Sequence, residues 1–343
     1  MEEINDNLLQ VYSRFPVSFV SGKGMYLFDE EHKKYLDFAS GIGVNAFGYQ
    51  DEEFDEAVCK QVKTLIHTSN LYYHKTLADA SFALTRVSGL DKVFFTNSGA
   101  EAIEGAIKTT KKYAYMKTGH ADFEVIAMNQ SFHGRTIGAL SVTGTTHYRE
   151  PFLPLMGGVH FADFNDYESV EALVNEKTCA IILEPVQGEG GIHLATMDFL
   201  QKVRKLCDQR DILLIFDEIQ CGMGRSGSYY VWQQFQVKPD ILTTAKALGG
   251  GLPVGAFITT NQVAKASLVP GDHGSTYGGN PLVCAGVIAS IKIMDDRQIL
   301  AHVKEMTSYL EETLDKFVKE YHFVIDRRGL GFMQGLELDA SVA

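Results

Sequence analysis

The sequence contains few cysteines and little positive charge. Its five cysteines form no Cys-x-x-Cys pair, and none lies near a histidine at zinc-ligand spacing. The sequence therefore fits a reducing compartment and predicts no structural metal. Lysine and arginine number 31 against 43 aspartate and glutamate residues, a net charge of −12. Nucleic acid and anionic membrane surfaces are consequently poor partners for this chain.

Membrane-targeting segments are absent as well. No apolar run approaches the roughly 20 residues needed to span a bilayer. The start of the chain, residues 1–7, is acidic where a secretion signal carries basic residues. We therefore expect a soluble cytoplasmic protein, with about two domains at roughly 150 residues per domain.

Glycine, in contrast, is abundant, with 32 residues against 8 prolines. Many glycines follow short apolar runs, where the backbone must turn tightly or approach a neighbour closely. These runs are continuously apolar, which favours strands buried on both faces, and segments with helical spacing lie between them. The pattern predicts an α/β fold with a mostly parallel sheet covered by helices. The predicted strands begin near Val93, Glu124, Cys179, Ile212 and Asp240, and one predicted helix ends before Asp211.

Two strand ends carry groups suited to binding an anion and a cation. Asn97, Ser98 and Gly99 open a helix whose first amides could bind a phosphate, although taken alone an ordinary helix cap is the better interpretation. Asp217 and Glu218 end the most apolar strand. A buried carboxylate needs a partner, so Asp217 should face a metal, an arginine or a protonated heterocycle. No nearby histidine supports the metal.

A third strand end carries Lys246, between small residues and in front of three glycines. Such neighbours predict partial desolvation and a lowered pKa, as a lysine that forms a Schiff base requires. The three strand ends together suggest pyridoxal 5'-phosphate. Lys246 would bind its aldehyde, Asp217 its ring nitrogen, and the helix at Gly99 its phosphate.

Seven motifs extend this interpretation, and through them the chain resembles the class III, fold-type I pyridoxal-phosphate aminotransferases from about Tyr12 onward. They are SNLYY (69–73), NSGAEA (97–102), SFHGRT (131–136), EPVQGEGG (184–191), FDEIQ (216–220), KALGGG (246–251) and HGSTYGGNP (273–281). The resemblance implies a large domain with a mostly parallel seven-stranded sheet between helices, plus a smaller α/β domain. It also implies a homodimer with a shared active site.

The resemblance, with the change to a long helical pattern near Pro281, divides the chain into three parts. Residues 1–45 form an N-terminal segment that packs with the small domain, residues 46–280 the large cofactor-binding domain, and residues 281–343 the small domain. Relatives continue past the position of Ala343 to an arginine that binds the α-carboxylate of glutamate. We therefore expect an incomplete small domain and a slower second half-reaction.

Residue roles follow from the family motifs. Phe132 would stack on the cofactor ring, and Gln220 would approach the ring hydroxyl. Thr276 would reach the phosphate of the neighbouring subunit, and His133 is left without a role, as a structural histidine. The implied cofactor-binding set is Ser98, Gly99, Ala100, Phe132, Asp217, Glu218, Ile219, Gln220, Lys246 and Thr276.

The substrate residues implied by the resemblance are Arg135, Glu189 and Ser275. Arg135 would grip the carboxylate remote from the reacting amine, because a guanidinium binds a carboxylate through two parallel hydrogen bonds. Glu189 would control which of the two substrates is accommodated, and Ser275 would touch the substrate. Lys246 and Asp217 are the predicted catalytic residues.

Within the family the motifs are most similar to those of enzymes that transfer the amino group of N-acetylornithine to 2-oxoglutarate, a step of arginine biosynthesis. Ornithine, succinylornithine and 4-aminobutyrate remain alternative donors. The related ornithine enzymes carry a tyrosine where this chain has residues 39–45, ASGIGVN. An aminomutase would need no keto acid. A non-catalytic regulator would carry a DNA-binding module, for which the residues before Tyr12 leave no room.

Overall fold

A computed structural model describes residues 7–342. The expectations that rest on the acidic residues 1–6 and on Ala343 lie outside the described residues. A three-stranded antiparallel sheet comes first in the chain, and sequence analysis did not predict it. Its strands are β1 (Phe19–Lys23), β2 (Tyr26–Asp29) and β3 (Lys34–Leu36).

Seven strands form the central sheet. They are β4 (Lys92–Thr96), β5 (Glu124–Met128), β6 (Val159–Ala162), β7 (Thr178–Leu183), β10 (Leu213–Asp217), β11 (Ile241–Thr244) and β12 (Gly255–Thr259). Their order across the sheet is β4–β12–β11–β10–β7–β5–β6. Strand β12 runs antiparallel to both of its neighbours, and the other strands are parallel to one another. The predicted seven-stranded, mostly parallel sheet is therefore confirmed. Two small hairpins complete the strands, β8 (Val186–Gln187) with β9 (His193–Leu194), and β13 (Val324–Leu330) with β14 (Met333–Leu338).

Helices cover both faces of this sheet. The helices are α1 (Glu52–Thr64), α2 (Lys75–Ser88), α3 (Gly99–Thr118), α4 (Ile137–Val142), α5 (Thr146–Arg149), α6 (Tyr167–Leu173), α7 (Met197–Arg210), α8 (Trp232–Phe235), α9 (Asn261–Lys265), α10 (Pro281–Asp296) and α11 (Ile299–Glu320), with 3₁₀ turns at Glu150–Phe152 and Lys246–Gly249. Helix α7 ends as predicted, because Asp211 takes a left-handed conformation with φ of 54°.

Strand β10 shows how the continuous apolar run is used. Leu213 and Ile215 pack on one face of the sheet in the cluster beneath α3, whereas Leu214 and Phe216 pack on the other face beneath α7. Alternate residues of a strand point to opposite faces, so a strand covered on both faces must be apolar at every position. Truncating one of these side chains to alanine costs about 2–5 kcal/mol.

The division into residues 1–45, 46–280 and 281–343 stays a prediction. The hairpin of β13 and β14 does pack against α11, and α10 packs against α1 and α2. Within residues 7–342 no helix is both long and apolar enough to cross a membrane. The same part of the chain holds no group of three or more His, Cys, Asp and Glu side chains arranged to bind a metal ion.

Candidate active site

A cavity of about 500 Å³ lies at the carboxyl ends of the parallel strands, the edge where open α/β sheets bind ligands. It gathers residues that follow β4, β5, β7, β10 and β11. Most of the predicted site residues line it, and three do not. The lining residues are Ser98, Gly99, Ala100, Phe132, Arg135, Glu189, Asp217, Ile219, Gln220 and Lys246.

The N-terminus of α3 forms one end of the cavity. The Ser98 side chain caps the helix by accepting from the Glu101 amide at 3.2 Å. The amides of Gly99 and Ala100 have no intrahelical acceptor, because they belong to the first turn. A methyl group on Gly99 would lie only 2.9 Å from the Ile219 side chain, so glycine lets the helix come close at this point. These amides and the helix dipole favour an anion.

Asp217 lies beside them with only 4% of its surface exposed. Its Oδ1 accepts from the Ile219 amide at 3.0 Å and from the Thr243 hydroxyl at 3.2 Å. Its Oδ2 lies 2.7 Å from Nδ1 of His133, which donates because an ionised carboxylate only accepts. Among residues 7–342, His133 is the one ion-pair partner of Asp217. When protonated, it is one of the cations that the sequence predicts to face Asp217.

His133 is completely buried, and its Nε2 has no hydrogen-bond partner among the described residues. Burial lowers the pKa of His133, but the hydrogen bond and the charge of Asp217, helped by Glu184, outweigh it and raise the pKa. The hydrogen bond from His133 also fixes the orientation of the Asp217 carboxylate. His133, which sequence analysis left without a role, also lines the cavity, and its contact with Asp217 was missed.

Glu184, directly after β7, is a second site residue that sequence analysis missed. Its Oε2 accepts from the Phe132 amide at 3.0 Å and its Oε1 from the Gly188 amide at 3.2 Å. Burial raises the pKa of Glu184, opposed by His133. The sequence does contain a signal for Glu184, because this acidic residue follows the continuously apolar strand β7. The same signal identified Asp217.

Lys246 follows β11, the strand next to β10, which ends at Asp217. Burial lowers the pKa of Lys246, partly offset by Asp217, Glu189 and Glu184, so the predicted desolvation is confirmed. The lysine has a φ of 51°, a conformation that side-chain-bearing residues rarely adopt. Strain of this kind is typical of functional sites.

Arg135 and Glu189 line the cavity and are exposed to solvent. The Arg135 guanidinium lies 3.8 Å from the centre of the Tyr148 ring and 5.3 Å from that of Phe132. Within residues 7–342 no carboxylate forms an ion pair with Arg135, which leaves its donors available. Glu189 accepts a long hydrogen bond of 3.5 Å from the Gln220 amide group.

Three predicted residues do not line this cavity. Glu218 points away from it, because consecutive residues of a strand face opposite sides, and its carboxylate accepts from the amides of Val231 and Trp232. Burial raises the pKa of Glu218 to about 8, although these hydrogen bonds lower it. Ser275 and Thr276 line a neighbouring open cavity, where the Ser275 hydroxyl accepts from the Asn97 amide group at 3.1 Å.

A half-buried lysine, a buried carboxylate and a helix N-terminus around one cavity define the class, an enzyme that depends on pyridoxal phosphate. The sequence profile of the family described as aminotransferase class-III matches residues 10–343. The chain belongs to this family.

The relatives include acetylornithine aminotransferase of Methanocaldococcus jannaschii, 48% identical over 96% of this chain and 83% of that protein. Among solved structures, N-acetylornithine aminotransferase from Stenotrophomonas maltophilia has a TM-score of 0.84 at 33% identity, over 100% of this chain and 85% of that one. Ornithine aminotransferase from Toxoplasma gondii, described with partial occupancy of pyridoxal phosphate, has a TM-score of 0.95 at 30% identity, over 99% and 81%.

Proposed function

We propose that this chain transfers the amino group of N2-acetyl-L-ornithine to 2-oxoglutarate, giving N-acetyl-L-glutamate 5-semialdehyde and L-glutamate in arginine biosynthesis. The observation that carries the proposal is the cavity itself, because both Arg135 and Lys246 line it. The 48% identity to a protein named acetylornithine aminotransferase supports the choice of donor.

The residues of the cavity fit pyridoxal phosphate. The unpaired amides of Gly99 and Ala100 suit its phosphate, and the buried carboxylate of Asp217 suits a protonated ring nitrogen. Phe132 and Ile219, which line the cavity, would offer apolar surface to its ring. Lys246 would hold its aldehyde. When bound, the cofactor supplies that aldehyde to take up the amino group and a ring that accepts electrons from the substrate carbon.

The chain's own residues would transfer the proton, stabilise charge and bind the substrate. Lys246 Nζ, neutral at lower pH than an exposed lysine, would act as the general base that takes up the proton of the substrate carbon and then as the general acid that gives it back. Asp217 would hold the positive charge of the ring nitrogen, and the hydrogen bond from His133 holds the Asp217 carboxylate in place. Arg135 binds the carboxylate remote from the reacting amine and so fixes the reacting carbon near Lys246.

Glu189 would decide between the two substrates. N-acetylornithine offers one carboxylate, which Arg135 alone can grip, whereas glutamate and 2-oxoglutarate bring a second carboxylate toward Glu189. Repulsion between like charges would then slow the second half-reaction unless a cation neutralises Glu189. Gln220 donates to the Glu189 carboxylate at 3.5 Å.

A homodimer is the proposed functional unit. Leu71, Tyr72 and Tyr73 are strongly exposed, as is Tyr277, and they lie beside the open cavity lined by Ser275 and Thr276. Exposed aromatic and aliphatic side chains in one place are typical of an interface. We propose that Thr276 of the partner subunit reaches the cofactor phosphate and that Ser275 contacts substrate there. We also propose that the protein acts in the cytoplasm and that its chain is divided into three parts after residues 45 and 280.

The experiment is a comparison of amino donors with the purified, cofactor-loaded protein. N-acetylornithine, succinylornithine, ornithine and 4-aminobutyrate are each supplied with 2-oxoglutarate, and glutamate is quantified. We expect the largest kcat/KM with N-acetylornithine and no turnover by the Lys246→Ala control. A larger value with ornithine would identify an ornithine aminotransferase instead. A product formed without keto acid would identify an aminomutase.

A further inference from the structure

A separate cavity of about 350 Å³ lies outside the candidate active site, between the N-terminal sheet and the helices α10 and α11. We call it the Arg225 cavity. Its walls come from the turn between β1 and β2, from residues 37–49, from the segment after β10, and from the tip of the β13–β14 hairpin. The volume is within the range of small-molecule pockets.

Arg225 is a half-buried arginine in this wall. Burial lowers the pKa of Arg225, and no charged group of residues 7–342 counteracts the effect. Its guanidinium forms neither a hydrogen bond nor an ion pair within that range. A desolvated cation is costly unless it is paired, so an unpaired guanidinium beside a cavity is suited to an anion.

The backbone of Arg225 is fixed on both sides. Its amide donates to the Gly222 carbonyl at 3.3 Å, and its carbonyl accepts from the Phe332 amide at 2.9 Å. The side chain therefore leaves a restrained segment, and Nη2 reaches the Gly43 backbone turn, 4.0 Å from where a β-carbon would be.

Asp37 is the acidic residue of the wall, but its oxygens are already used. Oδ1 accepts from the amides of Ala39 and Ser40 at 2.9 and 3.0 Å, and Oδ2 accepts from the Tyr49 hydroxyl at 2.6 Å. This carboxylate is committed to the turn at residues 39–49 and does not neutralise Arg225. The described lining also contains His302, which is exposed.

The remaining wall is largely apolar. It contains three methionines, Met25, Met223 and Met294, together with Ile299, Val303 and Phe332. Methionine adapts to ligands of varied outline. A guanidinium at one wall and thioether and aliphatic groups at the others match a molecule with one carboxylate and an apolar body.

We propose that the Arg225 cavity binds a small organic carboxylate with an apolar body, in addition to the substrates of the active site. The two cavities share one stretch of chain, because Val44 lines the active-site cavity and Asn45 lines the Arg225 cavity. The residues just before, 40–43, all have positive φ between 49° and 75°. A ligand at Arg225 would thus contact the segment that forms the wall of the active site.

Methionine-methyl NMR of the cofactor-loaded protein tests this site directly. The active-site cavity is lined by no methionine of the described residues, whereas three line the Arg225 cavity. Hexanoate is titrated against ¹³C-methyl-methionine protein, with hexanamide as the neutral isostere and inorganic phosphate as an anion without an apolar body. We expect saturable shifts of Met25, Met223 and Met294 with hexanoate, and binding at least tenfold weaker for hexanamide and for phosphate.

Two arginine variants separate this site from the active site. Arg225→Gln should abolish the three methionine shifts, while Arg135→Gln, which removes the guanidinium of the active-site cavity, should leave them unchanged. Ile299→Trp, which fills the cavity and keeps Arg225, should also abolish them. The wild-type titration decides the matter even if a variant fails to fold. No shift of these methionines, or equal binding of hexanoate and hexanamide, would overturn the proposal.

Discussion

Replacing Asp217 by asparagine keeps the shape of the side chain and removes its charge. The carboxylate is 4% exposed and accepts three hydrogen bonds, one from His133 at 2.7 Å. Two unit charges about 4 Å apart interact by about 4 kcal/mol at an effective dielectric constant of about 20. If that stabilisation of the ring-nitrogen charge is lost in the transition state, kcat falls by roughly a thousandfold, at about 1.4 kcal/mol per tenfold.

The assay is steady-state glutamate formation from N-acetylornithine, with near-UV circular dichroism to verify the fold. Asp240→Asn is the matched control, because Asp240 precedes β11, at the other end of the strand from Lys246, and pairs with Arg204 at 2.8 Å. That variant should lose stability and keep kcat. An Asp217→Asn enzyme with more than a tenth of wild-type kcat would refute the role given to Asp217.

Three further changes have defined outcomes. Arg135→Lys should lower kcat/KM for N-acetylornithine by about a hundredfold, since lysine cannot form two parallel hydrogen bonds or stack on Tyr148 as a planar group. A variant whose kcat/KM equals that of the wild-type protein would contradict this. Glu218 has a folded-state pKa of about 8 against an ordinary 4.5, so its contribution to stability is full below pH 4.5 and is lost as pH rises to about 8. Glu218→Gln should flatten this decline in urea unfolding between pH 5 and 8, and an unchanged slope would exclude Glu218 as its source. Tyr73→Glu should shift sedimentation toward the monomer and lower activity, whereas Tyr309→Glu on α11 should do neither; a dimeric Tyr73→Glu protein would remove Tyr73 from the interface.

Local signals explain what could be predicted from the sequence. The strand ending at Asp217 is continuously apolar because both of its faces are covered, and Lys246 is flanked by small residues, so both positions were visible without the fold. The pairing of His133 with Asp217 joins residues 84 positions apart and depends on the order of strands in the sheet. No local pattern could have revealed it.

Physical reasons also explain why some features of the structure were not predicted from the sequence. Strand β1, Phe19–Lys23, exposes most of its residues and so lacks the apolar pattern of a buried strand. Strand β12 is fully buried like the parallel strands β7, β10 and β11 of the sheet, and neither burial nor composition records its antiparallel direction. Glu218 shares the strand end with Asp217, but the alternation of side chains turns it to the opposite side.

Borohydride reduction followed by peptide mapping tests most directly whether Lys246 is the residue that holds the cofactor. The loaded wild-type protein is reduced, digested and analysed by mass spectrometry, with Lys246→Ala treated in parallel. We expect the pyridoxyl phosphate mass on the peptide that contains Lys246, and no covalent label in the variant. A label on another lysine, or a wild-type protein without label, would contradict the assignment of this cavity as the active site.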